Sequence, residues 1–281
     1  MNSVRRLIAF AGVALLATFA AAPAHATHAW GNYHWARTAN PFTLKCGDNV
    51  SSNWDSYLIN AAAAWSRTSG SCVNSANPVR VTVIAGTAGN VRRCNAVSGT
   101  IQACNTTYGS NGWLGIASIW ASGDHITQAT VKVNDTYFNT STYNTPDWRC
   151  LVMAQEVGHC FGLGHQDENF NNADLVDACG IQTCMDYTNT PAGQCNPNGH
   201  DYDQLVTIYS HLDATTTIGA ALPAGPNQAM PPGLERMPEI DTENQGEWGA
   251  PVHFANGRPD MFERDFGNGV KLLTHVFWAN E

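Results

Sequence analysis

The sequence predicts an α+β domain with a mixed twisted sheet, one strong central helix and a second helix near residue 210. Two periodicities and the order of elements predict it. "PVRVTVIAG" at 78–86 alternates as a strand, with Val79, Val81 and Val83 on one face. Trp54, Leu58, Ala61, Ala62 and Trp65 recur at the three- and four-residue spacing of a helix. The order strand, helix, strands, helix, irregular segment, helix is that of an α+β or mixed α/β layout.

The elements follow in turn. Arg5 and Arg6 precede the apolar run "LIAFAGVALLATFAAA", which is too short for a stable membrane span. We therefore read residues 1–26 as a secretion signal cut after Ala26. "NPFTLKCG" then reads as a strand leading into the helix around Leu58. Residues 86–112 are rich in Gly, Asn and Ser and read as a long loop pinned by Cys94 and Cys104. "GWLGIASIWA" (112–121) and "ITQATVKVND" (126–135) are two further strands. A helix is expected from about Asp147 to Phe161, a loop over 171–184, and a last helix from Tyr202 to Leu212. Asp201 would be its N-cap, with Gln204 completing a capping box. Residues 213–251 are Pro- and Gly-rich and read as a linker. Residues 252–281 carry an Asn268-Gly269 hairpin signal and read as a small β appendage.

Composition narrows the function. Without the two signal arginines, 12 basic residues stand against 23 acidic ones, a formal charge of −11. Nucleic acid is not an expected partner, because phosphate binding needs a basic surface. No second apolar stretch is long enough to span a membrane, so the expectation is an exported, monomeric protein acting on protein or peptide. All nine cysteines lie beyond the signal, in a compartment that permits disulfides. Neighbour reasoning pairs Cys46 with Cys72, Cys94 with Cys104, Cys184 with Cys195 and Cys150 with Cys179, leaving Cys160 over. His28 and His34 read as surface histidines.

The chemistry is concentrated in "MAQEVGHCFGLGHQDEN", residues 153–169. Zinc catalysis needs three protein ligands and an open position for water. Residues four apart share a helix face, so Gln155 and His159 can point at one ion. Glu156, beside the first of them, is placed to take a proton from water made acidic by the metal. Gly162 lets the helix stop, and His165 can then return as the third ligand.

With Gln155 read as His, this segment resembles the metzincin clan of zinc endopeptidases, and among them the secreted matrixins. "CMDYT" at 184–188 resembles that clan's Met-turn, and its wording is similar to the pappalysin branch. The resemblance covers roughly residues 30–212. It implies a metzincin-like catalytic domain over 27–212, with Zn2+ held by Gln155, His159 and His165. Glu156 would be general base and later acid, Tyr187 would stabilise the oxyanion, and Met185 would support the metal site from below. "GWLGIASIW" resembles the edge strand on which the clan holds extended substrate by β-addition, a plain core strand being the alternative. Matrixin latency rests on a propeptide cysteine, and here the C-terminal appendage is the candidate for that role.

Gln155 leaves three solutions open. It binds zinc through its side-chain oxygen, another group such as Cys160 or His200 supplies the bond, or the metal is absent. Cys160 lies about 100° round the helix from His159, and a small buried hydrophobe is its ordinary role. His200 has an ordinary reading in capping. The retained Glu156 favours a zinc endopeptidase, because an unpaired carboxylate is costly in a buried pocket. The alternative is an inactive secreted pseudoprotease acting as a protein-binding module, which Gln155 favours.

Overall fold

The computed structural model describes residues 28–170, 172–219 and 240–280, so the expected signal sequence and the middle of the expected linker lie outside the described residues. Nine strands form one mixed sheet: β1 (His34–Trp35), β2 (Phe42–Asn49), β3 (Val79–Ala85), β4 (Thr100–Thr106), β5 (Trp113–Ser122), β6 (His125–Asn134), β7 (Ala250–Ala255), β8 (Arg258–Gly267) and β9 (Val270–Trp278). Their order is β3-β2-β4-β6-β5-β9-β8-β7, with the short β1 paired to the start of β6. The pairs β2–β3, β2–β4 and β4–β6 are parallel, whereas β5 to β9 are joined by antiparallel pairs.

The helices are α1 (Asp55–Trp65), α2 (Asp135–Phe138), α3 (Pro146–His159) and α4 (Gly199–Ile208). The apolar stripe of α1 faces α3, and the Trp65 indole N–H donates to the Ala154 carbonyl at 2.9 Å. The core between helices and sheet is aromatic and aliphatic, with Trp35, Trp54, Trp65, Phe138 and Phe161 fully buried.

Four expectations need correction. The loop expected over 86–112 contains β4, a central strand whose polar Gln102 is buried. The Gln102 Oε1 accepts from Asn49 at 2.9 Å and from the Thr87 N–H at 3.1 Å, so its polarity is satisfied only by the folded chain. The N-cap of α4 is Asn198, and Asp201 is the third helical residue, whose carboxylate reaches back to the Asn198 N–H at 2.8 Å. The cysteine pairs are Cys72–Cys179, Cys94–Cys104 and Cys150–Cys195, so only the shortest loop was foreseen. Cys46, Cys160 and Cys184 are buried free thiols.

The fourth correction matters most. Residues 252–280 are no appendage; Glu281, the last residue of that expected segment, lies outside the described residues. The hairpin β8–β9 turns at Asn268 and Gly269, both with positive φ, as the sequence signal anticipates. Its second strand then lies antiparallel to β5 across Ser122↔Val270 to Trp113↔Trp278. Leu272, Leu273, Val276 and Phe277 are at most 2 % exposed, so β9 is core. β5 is therefore an interior strand, and its expected substrate edge is covered by β9.

Among the described residues no helix is long and apolar enough to cross a membrane. Three disulfides fit an oxidising compartment.

Candidate metal centre

The site grows from α3. Thr145 caps it, its hydroxyl accepting from the Trp148 N–H at 3.2 Å, and Pro146 takes the first turn, where its missing N–H costs nothing. The helix ends at His159. Gly162 then adopts φ +89°, and a Cβ there would lie 2.1 Å from the Tyr33 carbonyl oxygen, so only glycine fits. The chain doubles back beside its N-terminal segment, the Trp30 N–H donating to the Gly162 carbonyl at 2.6 Å. The Gln166 N–H then donates to the Met185 carbonyl at 2.7 Å and the Tyr187 N–H to the Asp167 carbonyl at 3.1 Å. These bonds fix His165 beside the turn at 184–188. Met185 packs under α3 at Gly158, where a Cβ would come within 2.7 Å of its sulfur.

His159 and His165 thus come together, their ring centroids 4.8 Å apart. A third imidazole joins them from β9, because His275 pairs with Ala117 of β5 and faces α3. Its centroid is 3.8 Å from His159 and 4.5 Å from His165. Ring nitrogens of the three lie within 4.8 Å of one another.

Hydrogen bonds assign the ring atoms. His159 Nδ1 is 2.7 Å from the Leu163 carbonyl and carries the proton, so its Nε2 is a bare lone pair. His275 Nε2 is 3.2 Å from the Tyr187 hydroxyl, which itself donates to Asp260 at 2.8 Å. That contact leaves Nδ1 of His275 facing the cluster. His159 Nε2, His165 Nε2 and His275 Nδ1 are all buried without a hydrogen-bond partner. Burial holds the three rings in the neutral, ligating form: His159 and His275 are pushed well below the usual imidazole range, and His165 down to about 4.

Glu156 is fully buried, and both of its carboxylate oxygens lack a partner. Desolvation drives its carboxyl well above the usual range. One oxygen lies 3.8 Å from His275 Nδ1. Room for the carboxylate comes from Gly115 of β5, where a Cβ would sit 2.6 Å from Glu156 Oε1.

The remaining expected residues are near but differently occupied. Gln155 donates its amide N–H groups to the carbonyls of Cys184 at 2.8 Å and Asp186 at 3.2 Å, which fastens α3 to the Met-bearing turn. Its Oε1 is buried and unpartnered. The Tyr187 hydroxyl, assigned by resemblance to an oxyanion, is spent on Asp260 and His275. Cys160 turns its thiol to the Glu156 carbonyl at 3.4 Å, and His200 stacks on His28 instead of joining the cluster. His28 and His34, read as surface residues, are each only 6 % exposed.

Sequence reasoning missed His275 and Asp260. The one signal was a histidine inside the apolar run "KLLTHVFW", where strand alternation puts it on the same face as Leu273 and Phe277. The cluster is approached through a cavity of about 230 Å3, bordered by Trp30, Glu168, His253 and Met261.

No family model matches the chain, and no curated protein matches it. Among solved structures, one titled "Structure of myroilysin" aligns at 11% identity over 66% of this chain and 99% of that chain, with a TM-score of 0.34. That likeness is too slight to carry a family assignment.

Proposed function

We propose that the chain is a secreted zinc-dependent peptidase whose metal is held by His159, His165 and His275, with Glu156 as general base. The observation that carries this reading is the convergence of three neutral imidazoles, each with an unpartnered nitrogen, beside a buried carboxylate that also lacks a partner. Buried polar groups are ordinarily hydrogen-bonded, and five such atoms in one place fit a cation and a water. Three imidazoles with one open position are a zinc-hydrolase ligand set.

Zinc held there supplies Lewis acidity and a water acidic enough to ionise near neutral pH. Glu156 takes the proton of the attacking water and returns it to the leaving amine. Asp260 and Tyr187 orient His275, as outer groups around a metal do. Gln155 is the clamp between α3 and the 184–188 turn, and His275 takes the ligand place that an imidazole at position 155 would fill. Trp30 and Met261 border the approach to the site.

The coverage of β5 by β9 favours a second reading, a zinc-bearing binding protein without catalysis, because extended substrate cannot add to an interior strand. A peptide-hydrolysis assay on the zinc-loaded protein and on Glu156→Ala separates the two. Hydrolysis abolished by that change, with zinc content intact, supports the peptidase. Wild type without activity on any peptide in a mixed-sequence library, while still holding zinc, leaves the binding protein.

A further inference from the structure

We propose that His34, His125 and Asp213 form a second divalent-metal site, independent of the one on α3. The sheet register places the two histidines side by side, His34 of β1 opposite His125 of β6, with ring centroids 5.1 Å apart. Asp213 follows α4 and divides its two oxygens between different partners. Its Oδ2 accepts from the Arg37 backbone N–H at 3.1 Å and from the Arg37 guanidinium at 3.0 Å. Its Oδ1 is left to the imidazoles: it lies 3.2 Å from His125 Nε2, 3.4 Å from His34 Nε2 and 3.6 Å from His211 Nε2.

One contact of this arrangement is left without a proton in a neutral cluster. His34 Nδ1 lies 2.7 Å from the Asn32 carbonyl, which has no proton to give, so Nδ1 must carry one. In the neutral ring Nε2 is then a lone pair: the His211 Nε2, 3.1 Å away, can donate to it as the Nε2–H tautomer, but the Asp213 Oδ1 at 3.4 Å can only accept. A cation between His34 Nε2 and Asp213 Oδ1 turns this opposition of acceptors into coordination. The ring nitrogens and carboxylate oxygen of His34, His125 and Asp213 all lie within 4.8 Å of one another, a span that bonds of about 2.0–2.2 Å to a zinc-sized ion can bridge with small adjustments. Two imidazoles and a carboxylate suit zinc and neighbouring first-row divalent ions.

His34 is buried, while His125 and His211 reach solvent, and a cavity of about 380 Å3 bordered by Asn32, His34, Asp124, Thr207 and His211 opens beside them. An ion there ties the N-terminal strand to β6 and to the segment behind α4.

The test is zinc titration by calorimetry, with elemental analysis, on four full-length proteins: wild type, His125→Ala, the double variant His159→Ala/His165→Ala, and the triple variant combining them. We expect two zinc ions per chain in wild type, one in each of the first two variants and none in the triple. Zinc should also raise the melting temperature of the double variant but not of the triple. A double variant that binds no zinc at millimolar concentration overturns the second site, as does a triple variant that binds as much as the double. If His159→Ala/His165→Ala leaves the wild-type stoichiometry unchanged, the α3 reading fails while this one stands on the His125→Ala result.

Discussion

His159 and His275 stand with ring centroids 3.8 Å apart, one at the end of the motif helix and the other on the last strand of the chain. The contact exists because β9 pairs with β5 in a register that sets His275 opposite Ala117, a residue small enough to leave the space between sheet and helix open. The first prediction is that His275→Ala loses bound zinc and peptidase activity together, whereas Gln155→Ala retains zinc. Elemental analysis of the two purified variants decides between them; zinc lost from Gln155→Ala and kept by His275→Ala would reinstate Gln155 as the ligand.

Of the His triad, the Tyr187 hydroxyl is hydrogen-bonded to His275, and Asp260 reaches that ring through the Tyr187 hydroxyl. Tyr187→Phe should therefore weaken zinc binding by about 10- to 100-fold, the usual effect of removing an outer hydrogen bond at a metal ligand. Competition with a chelator of known affinity measures it. An unchanged affinity with a lost rate would return Tyr187 to the transition state.

Much of this centre is legible in the sequence, and the reasons for the remainder are physical. Glu156, His159, Gly162 and His165 lie within one helix and its exit, where spacing fixes which side chains share a face. The Met185 turn is reached through backbone bonds only twenty residues on. His275 is invisible to spacing, because its approach depends on β9 choosing β5 as its partner, a long-range pairing that no local pattern encodes. β4 was read as loop for a related reason: Gln102 and Asn105 look like surface residues until Asn49, Thr100 and Asp135 are folded against them. The Cys72–Cys179 pair likewise joins segments that only the fold brings close.

The Met-bearing turn and α3 meet at Gly158 with no spare room. A methyl group there would come within 2.5 Å of the Trp65 ring and 2.7 Å of the Met185 sulfur. Gly158→Ala should destabilise the protein by about 1–3 kcal/mol, as overpacking of a close-packed core does. Chemical denaturation reads this directly, and an unchanged midpoint would mean that Trp65 and Met185 can yield.

Lys132 sits on β6 with its ammonium buried, without a hydrogen-bond partner and 5.4 Å from the centre of the Tyr108 ring. Desolvation lowers its pKa to about 8, against about 10.4 for a free lysine. Between those values the unfolded chain binds a proton that the folded chain does not, so stability should rise as pH climbs from about 8 to about 10. Lys132→Met should flatten that rise and add on the order of 1–3 kcal/mol at neutral pH. Urea midpoints across this range for both proteins are the measurement; a parallel pair of profiles would show that Lys132 is solvated.

A chain ending at residue 212 keeps the whole motif but loses β9, and with it Leu272, Leu273, Val276 and Phe277 from the core. It should fail to fold to a soluble, zinc-binding form, where a detachable latency segment would instead leave an activated enzyme. Expression and zinc content of that shortened chain discriminate the outcomes.

The placement of His275 also governs timing. A ribosome that has passed residue 165 has made both motif histidines, yet β9, which completes their cluster, is made only after roughly a hundred more residues have been added. Neither the filled sheet nor the third imidazole exists until β9 has emerged. A chain interrupted between the motif and β9 therefore carries the motif in full and the three-imidazole cluster not at all.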